Sequence, residues 1–151
     1  MITSLKWLVT ASLVNLIGNS LGAVISLQQN LAADWGSSLN GQNVVQDFIG
    51  LKGTALSAPL SFLLIQLVIT VLALKPGRLG RFGIGGLTFI GLFYTLAQMG
   101  EPILVRQFQA GGFDLMHFLA LILNIGSAIA MLVLGIRAWK SERIPQSVAV
   151  T

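Results

Sequence analysis

The chain has 151 residues, of which 54% are hydrophobic and 9% charged, and its mean hydropathy is +0.83. A soluble domain carries about 25% charged residues, so this composition calls for a bilayer as solvent. The net charge of +4 does not signal nucleic acid, because the basic residues fall between and beyond apolar runs with no RNP, zinc-finger or helix-turn-helix pattern. The lack of cysteine excludes disulfides, thiolate catalysis and cysteine-held metal.

The first predicted span, residues 7–27, is an apolar run long enough to cross a hydrocarbon core of roughly 30 Å. Lys6 before it invites a signal-peptide reading. The run is too long for one, and Leu31-Ala32-Ala33 lacks the small residue a cleavage site needs, so a retained helix is expected. Asn15, Gly18, Gly22 and Ser26 recur at three- and four-residue steps with Asn19 beside them. This spacing predicts a helix-packing face inside the molecule. Residues 28–57 read as a polar outer loop holding a short interfacial helix near Asn43–Leu51, with Trp35 at the interface.

The second span, residues 58–74, places Pro59 in its first turn and Gln66 and Thr70 on a polar stripe facing the bundle. Lys75 to Arg81 then reads as a tight basic turn, matching neither of the glycine-rich phosphate motifs. The third span, residues 82–100, is rich in small residues, Gly91 among them, and is expected at the bundle centre. Glu101-Pro102 ends it. Asp114 is the predicted N-cap of a fourth span, residues 114–136, which Arg137, Trp139, Lys140 and Arg143 anchor.

Charge sets the orientation. Lys75, Arg78 and Arg81 occupy one connection without an acid, whereas the other two connections carry an acidic excess. The positive-inside rule therefore predicts cytoplasmic termini and puts Trp7 and Trp139 at one interface. The expected fold is all-α: one integral-membrane, antiparallel four-helix bundle with both termini inside, in a bacterial inner membrane.

Under this topology the residues able to do chemistry gather in the outer half. Tyr94, Gln98 and Glu101 share a face of the third span, and Asp114, His117, Leu121 and Asn124 share one of the fourth. With Arg106 they form a candidate ligand-binding cluster, either a wet pocket or a packing network. Asn15, Gly18, Asn19, Gly22 and Gly91 are candidate packing residues. His117 is the only histidine and reads first as a water-exposed residue near a helix start. As a general base it would be tuned by Asp114. A single histidine with two carboxylates is a thin metal signal, and no G-x-S-x-G elbow supports Ser57 or Ser61 as a nucleophile. No catalytic residue, metal or cofactor is assigned.

The plan, with its long outer first loop and basic inner turn, resembles that of DoxX-type four-helix membrane proteins, with Gln66 where an acidic residue is expected in that group. The expected function is non-enzymatic: an accessory or assembly subunit, or a small lipophilic-ligand binder. Its partners would be the bilayer and either another membrane protein or a second copy, and nucleic acid is not expected. A small carrier with an outward-facing polar pocket is the alternative. A quinone- or haem-linked redox protein of DoxX-like plan is the second.

Overall fold

The structure is a computed structural model that describes residues 3–33, 43–99 and 115–141. Among the described residues 84% are helical and there are no strands. The described residues form five helices: α1 (Thr3–Gln29), α2 (Val44–Ile49), α3 (Leu60–Ala73), α4 (Gly77–Met99) and α5 (Leu115–Ser141). Three of them, α1, α4 and α5, are long and apolar enough to cross a membrane. The predicted second span is a shorter apolar helix of 14 residues, about 21 Å at 1.5 Å per residue.

Local chemistry fixes the ends. α1 stops where Asn30 turns left-handed (φ 56°), and the Leu31 N–H donates back to the Ser26 carbonyl at 2.8 Å. This is the Schellman closure, with asparagine in the place glycine usually takes. Asn43 caps α2 reciprocally. Its side-chain oxygen accepts from the Gln46 N–H at 3.1 Å, while its own N–H donates to Asp47 at 3.1 Å. Pro59 sits just ahead of α3 at φ −58°, a dihedral suited to opening a helix.

Two expectations need correction. The basic segment is not a turn throughout, since α4 begins at Gly77 and carries Arg78 and Arg81 in its first turns. Gly77 makes the corner at φ 72°, a value costly for any side chain. The last helix also runs past residue 136 to Ser141.

Each pair of neighbouring long helices is antiparallel. Asn15 and Asn19 of α1 face Ser127 and Asn124 of α5, in falling order. Ser12 and Asn19 face Thr70 and Ala58 along the α3 side. Gly83, Gly86 and Phe93 of α4 meet Ala73, Ile69 and Phe62. Gly85 and Gly91 meet Trp139 and Ala128 of α5. α4 thus lies between α3 and α5 and barely touches α1, so it is not central as its glycines suggest. The register brings Trp7 and Trp139 to one end, where the Arg81 guanidinium lies 5.5 Å from the Trp139 ring centre.

Polar side chains are buried beside the apolar core, while many large apolar ones face outward. Asn15, Asn19, Ser12, Gln66, Thr70 and Asn124 are buried, whereas Ile17, Leu64, Val68, Phe89 and Ile122 face outward. Glycines permit the close approach. A Cβ on Gly91 would stand 2.8 Å from the Ala128 carbonyl oxygen and from the Leu132 nitrogen, both backbone atoms. Gly126, in contrast, is open on all sides. Gly91→Ala should therefore cost about 1–3 kcal/mol through overpacking. Gly126→Ala should gain up to about 1 kcal/mol from helix propensity. Thermal midpoints in detergent check the pair, and equal shifts would contradict the α4–α5 contact.

Candidate functional site

Buried amides and hydroxyls form a continuous file between α1, α3 and α5. At the end nearer Trp7, Ser12 Oγ and Thr70 Oγ1 lie 2.8 Å apart, and Thr70 also donates to the Gln66 carbonyl. Gln66 Nε2 donates to Ser12 and to Asn15 Oδ1 (3.1 and 3.2 Å). Asn15 Nδ2 donates to Ser127 Oγ at 2.9 Å, and Asn19 Nδ2 donates to Asn15 and to Asn124 Oδ1. Asn15 and Gln66 are fully buried. A buried amide must place two donors and an acceptor, and these amides largely satisfy one another, although Gln66 Oε1 has no partner. The packing residues Asn15 and Asn19 are thus also hydrogen-bonding centres.

The file ends at a non-helical segment. Residues 54–59 turn inward ahead of α3, with Thr54 N–H bonded to the Ser57 carbonyl and Ala55 N–H to the Leu31 carbonyl. Asn124 Nδ2 donates to the Leu56 carbonyl at 3.1 Å, and Asn19 Oδ1 accepts from the Ala58 N–H at 3.0 Å. The Leu56 carbonyl lies so close to α1 that any Cβ on Gly22 would collide with it. A Cβ on Gly18 would meet Asn124 Oδ1 at 2.6 Å. Gly18 and Gly22 therefore form an intramolecular packing face, against α5 and this turn.

Between the turn, α3, α4 and α5 lies a partly open cavity of about 110 Å³. Its walls include Phe62, Phe93, Ala97 and Leu121, with Asn19 and Asn124 at its floor. Phe62 and Phe93 stack with centroids 5.7 Å apart, and Tyr94 lies tilted beside Phe93. Three wall residues bring polar atoms that are buried and make no hydrogen bond: Thr54 Oγ1, Tyr94 OH and Gln98 Oε1. Thr54 and Tyr94 are each only 4% exposed. Such atoms are costly unless something partners them.

Of the predicted cluster, Tyr94, Gln98 and Asn124 meet at this cavity. Glu101, Arg106 and Asp114 lie outside the described residues, as does Trp35. His117 is buried at 7% exposure instead of facing water, and it does not line the cavity. It shares the inward face of α5 with Ala120, Asn124 and Ser127. The hydroxyls of Ser57 and Ser61 donate to the carbonyls of Ala58 and Gly50, which gives neither a basic partner. The wall formed by residues 54–58 was missed by sequence reasoning. The available signal was Pro59, which forbids the helix from starting much earlier.

The Asn19–Asn124 pair should behave as a unit. Asn19→Ala and Asn124→Ala should each destabilise by about 1–3 kcal/mol, by stranding backbone groups of the turn. A double-mutant cycle should return a coupling of about 0.5 kcal/mol or more. Additive losses would mean the two amides act separately.

Comparison with family models, characterised proteins and solved structures finds nothing similar to this chain.

Proposed function

We propose that this chain is a multi-pass membrane protein whose pocket binds a small lipophilic ligand. The observation that carries this reading is the cavity itself. It has aromatic and aliphatic walls and three buried polar atoms that the protein leaves unsatisfied. Small-molecule sites combine an apolar lining with a few convergent polar groups in this way.

The proposed setting is an antiparallel bundle of four transmembrane helices in a bacterial cell membrane, with both termini cytoplasmic. Its support is the many large apolar side chains that face outward and the gathering of Lys6, Lys75, Arg78, Arg81, Arg137 and Lys140 at the Trp7–Trp139 end. In this setting α3 crosses with help from residues 54–59. From Trp7 to Gly22 is roughly 22 Å along α1, so the Leu56 carbonyl beside Gly22 lies within the hydrocarbon depth. Irregular backbone is tolerated there only where protein groups satisfy it, as Asn19 and Asn124 do.

The assembly-subunit reading drew on the small-residue faces. Gly18, Gly22 and Gly91 meet other parts of the same chain, so the pocket is the better-supported basis for function. The carrier reading draws on the outer polar cluster, of which Tyr94, Gln98 and Asn124 meet at the cavity, but no acid or base stands in the middle of any predicted span, whereas coupled transport usually engages one.

Two experiments test the proposal. Organic extraction of the purified protein should yield a lipophile enriched over bulk lipid, and Ala97→Phe, which fills the cavity, should lose it. Identical extracts would remove the ligand-binding reading. Because the chain has no cysteine, single cysteines report orientation cleanly. An impermeant maleimide added outside intact cells should label Leu51→Cys and spare Leu79→Cys, both exposed positions. The reverse pattern would invert the topology.

A further inference from the structure

The pocket's unsatisfied atoms are chemically specific, and they narrow the ligand beyond "lipophilic". We infer that it takes a neutral molecule with a single six-membered ring bearing a hydroxyl group, the ring against Phe62 and Phe93 and the hydroxyl at Tyr94 and Gln98. This inference rests on the reading of the pocket as a lipophile site.

Size sets the first limit. A dry cavity of roughly 150 Å³ holds one benzene, and this one measures about 110 Å³ with one side open. The pocket therefore has room for no more than one ring, which would reach toward the open side, where a longer apolar tail would extend. The walls favour a planar group. The Phe62–Phe93 stack, at an interplanar angle of 22°, and the tilted Tyr94 ring beside it offer both a face and an edge.

Hydrogen-bonding capacity sets the second. Asn19 and Asn124 line the floor, but their amide donors and acceptors already serve the file and the 54–59 turn. What remains is Thr54 Oγ1, Tyr94 OH and Gln98 Oε1. The two hydroxyls can donate or accept, whereas the amide oxygen can only accept. Tyr94 and Gln98 stand one turn apart on α4, on the same face. A ligand carbonyl or ether could receive Tyr94 but would leave the Gln98 oxygen dry. A ligand hydroxyl donates to Gln98 and accepts from Tyr94 or Thr54, so one group answers the set. Charge fits less well. Among the described residues no carboxylate lines the wall to meet a cation, and an anion would face the Gln98 oxygen. Lys52 is the single charged lining residue, and a benzoate probe tests whether it draws an anion instead.

The experiment uses the full chain in lipid nanodiscs, with empty nanodiscs as the partitioning blank. Retention of 4-propylphenol, 4-propylanisole, propylbenzene and 4-propylbenzoate is measured by equilibrium dialysis. The phenol should bind roughly tenfold more tightly than the anisole or the hydrocarbon, the value of one buried hydrogen bond. Gln98→Met, and independently Tyr94→Phe, should shrink that gap while leaving hydrocarbon retention in place. Equal retention of phenol, anisole and hydrocarbon would overturn the hydroxyl inference yet keep the lipophile pocket. Preference for the benzoate, or a gap untouched by both variants, would overturn it too. No retention above the blank for any probe would remove the pocket reading along with it.

Discussion

The paired amides of Asn19 and Asn124 hold the arrangement together. Asn19 donates to Asn124 across the α1–α5 contact and to Asn15 within α1, and each of the two amides also serves the backbone of residues 56–58. That backbone has left helical geometry, so its N–H and C=O groups must find partners elsewhere or be stranded away from water. The two side chains do for the turn what an i to i−4 ladder does for a helix. Because the turn is fixed, α3 starts where it does and one wall of the cavity stands in place.

The rest of the polar file backs this arrangement from behind. Asn15, Ser127, Gln66, Ser12 and Thr70 link three helices through neutral groups, each modest in net worth but costly to strand. A neutral network avoids the desolvation penalty that ionised groups would incur at such depth. It also consumes most of its own donors and acceptors, Gln66 Oε1 being an exception, and three further unpartnered side-chain atoms belong to residues that line the cavity. These residues are Thr54, Tyr94 and Gln98.

Much of this was legible in the sequence, for reasons that can be named. The long helices follow from uninterrupted apolar runs, α2 from the amphipathic spacing of its apolar residues, and the inward stripe of α3 from the one-turn spacing of Gln66 and Thr70. Tyr94 and Gln98 could be placed on one face, and Asn124 across from them, by helical period alone. His117 shows how a local argument loses to a longer one. Its position near a helix start suggested water, but its spacing from Ala120, Asn124 and Ser127 puts it on the buried face. Of the turn at residues 54–58 only the boundary at Pro59 was legible, because the side chains that hold the turn bind main-chain atoms, which leave no mark on residue identity. The depth of α4's glycines misled for a related reason. Small residues announce close packing but not which neighbour is close, and α4 spends them on its two flanks.

The shortness of α3 bears on the surrounding lipid in the proposed bilayer. A rod of about 21 Å beside three longer ones leaves one flank of the molecule low, and α2 with its exposed Val45 and Ile49, followed by exposed Leu51, adjoins that flank. Acyl chains there must shorten or splay, at fractions of a kcal/mol per Å of mismatch. The protein would then carry a dimple in the outer leaflet wherever it diffuses, favouring thinner membrane regions and easing the entry of small amphiphiles on that side.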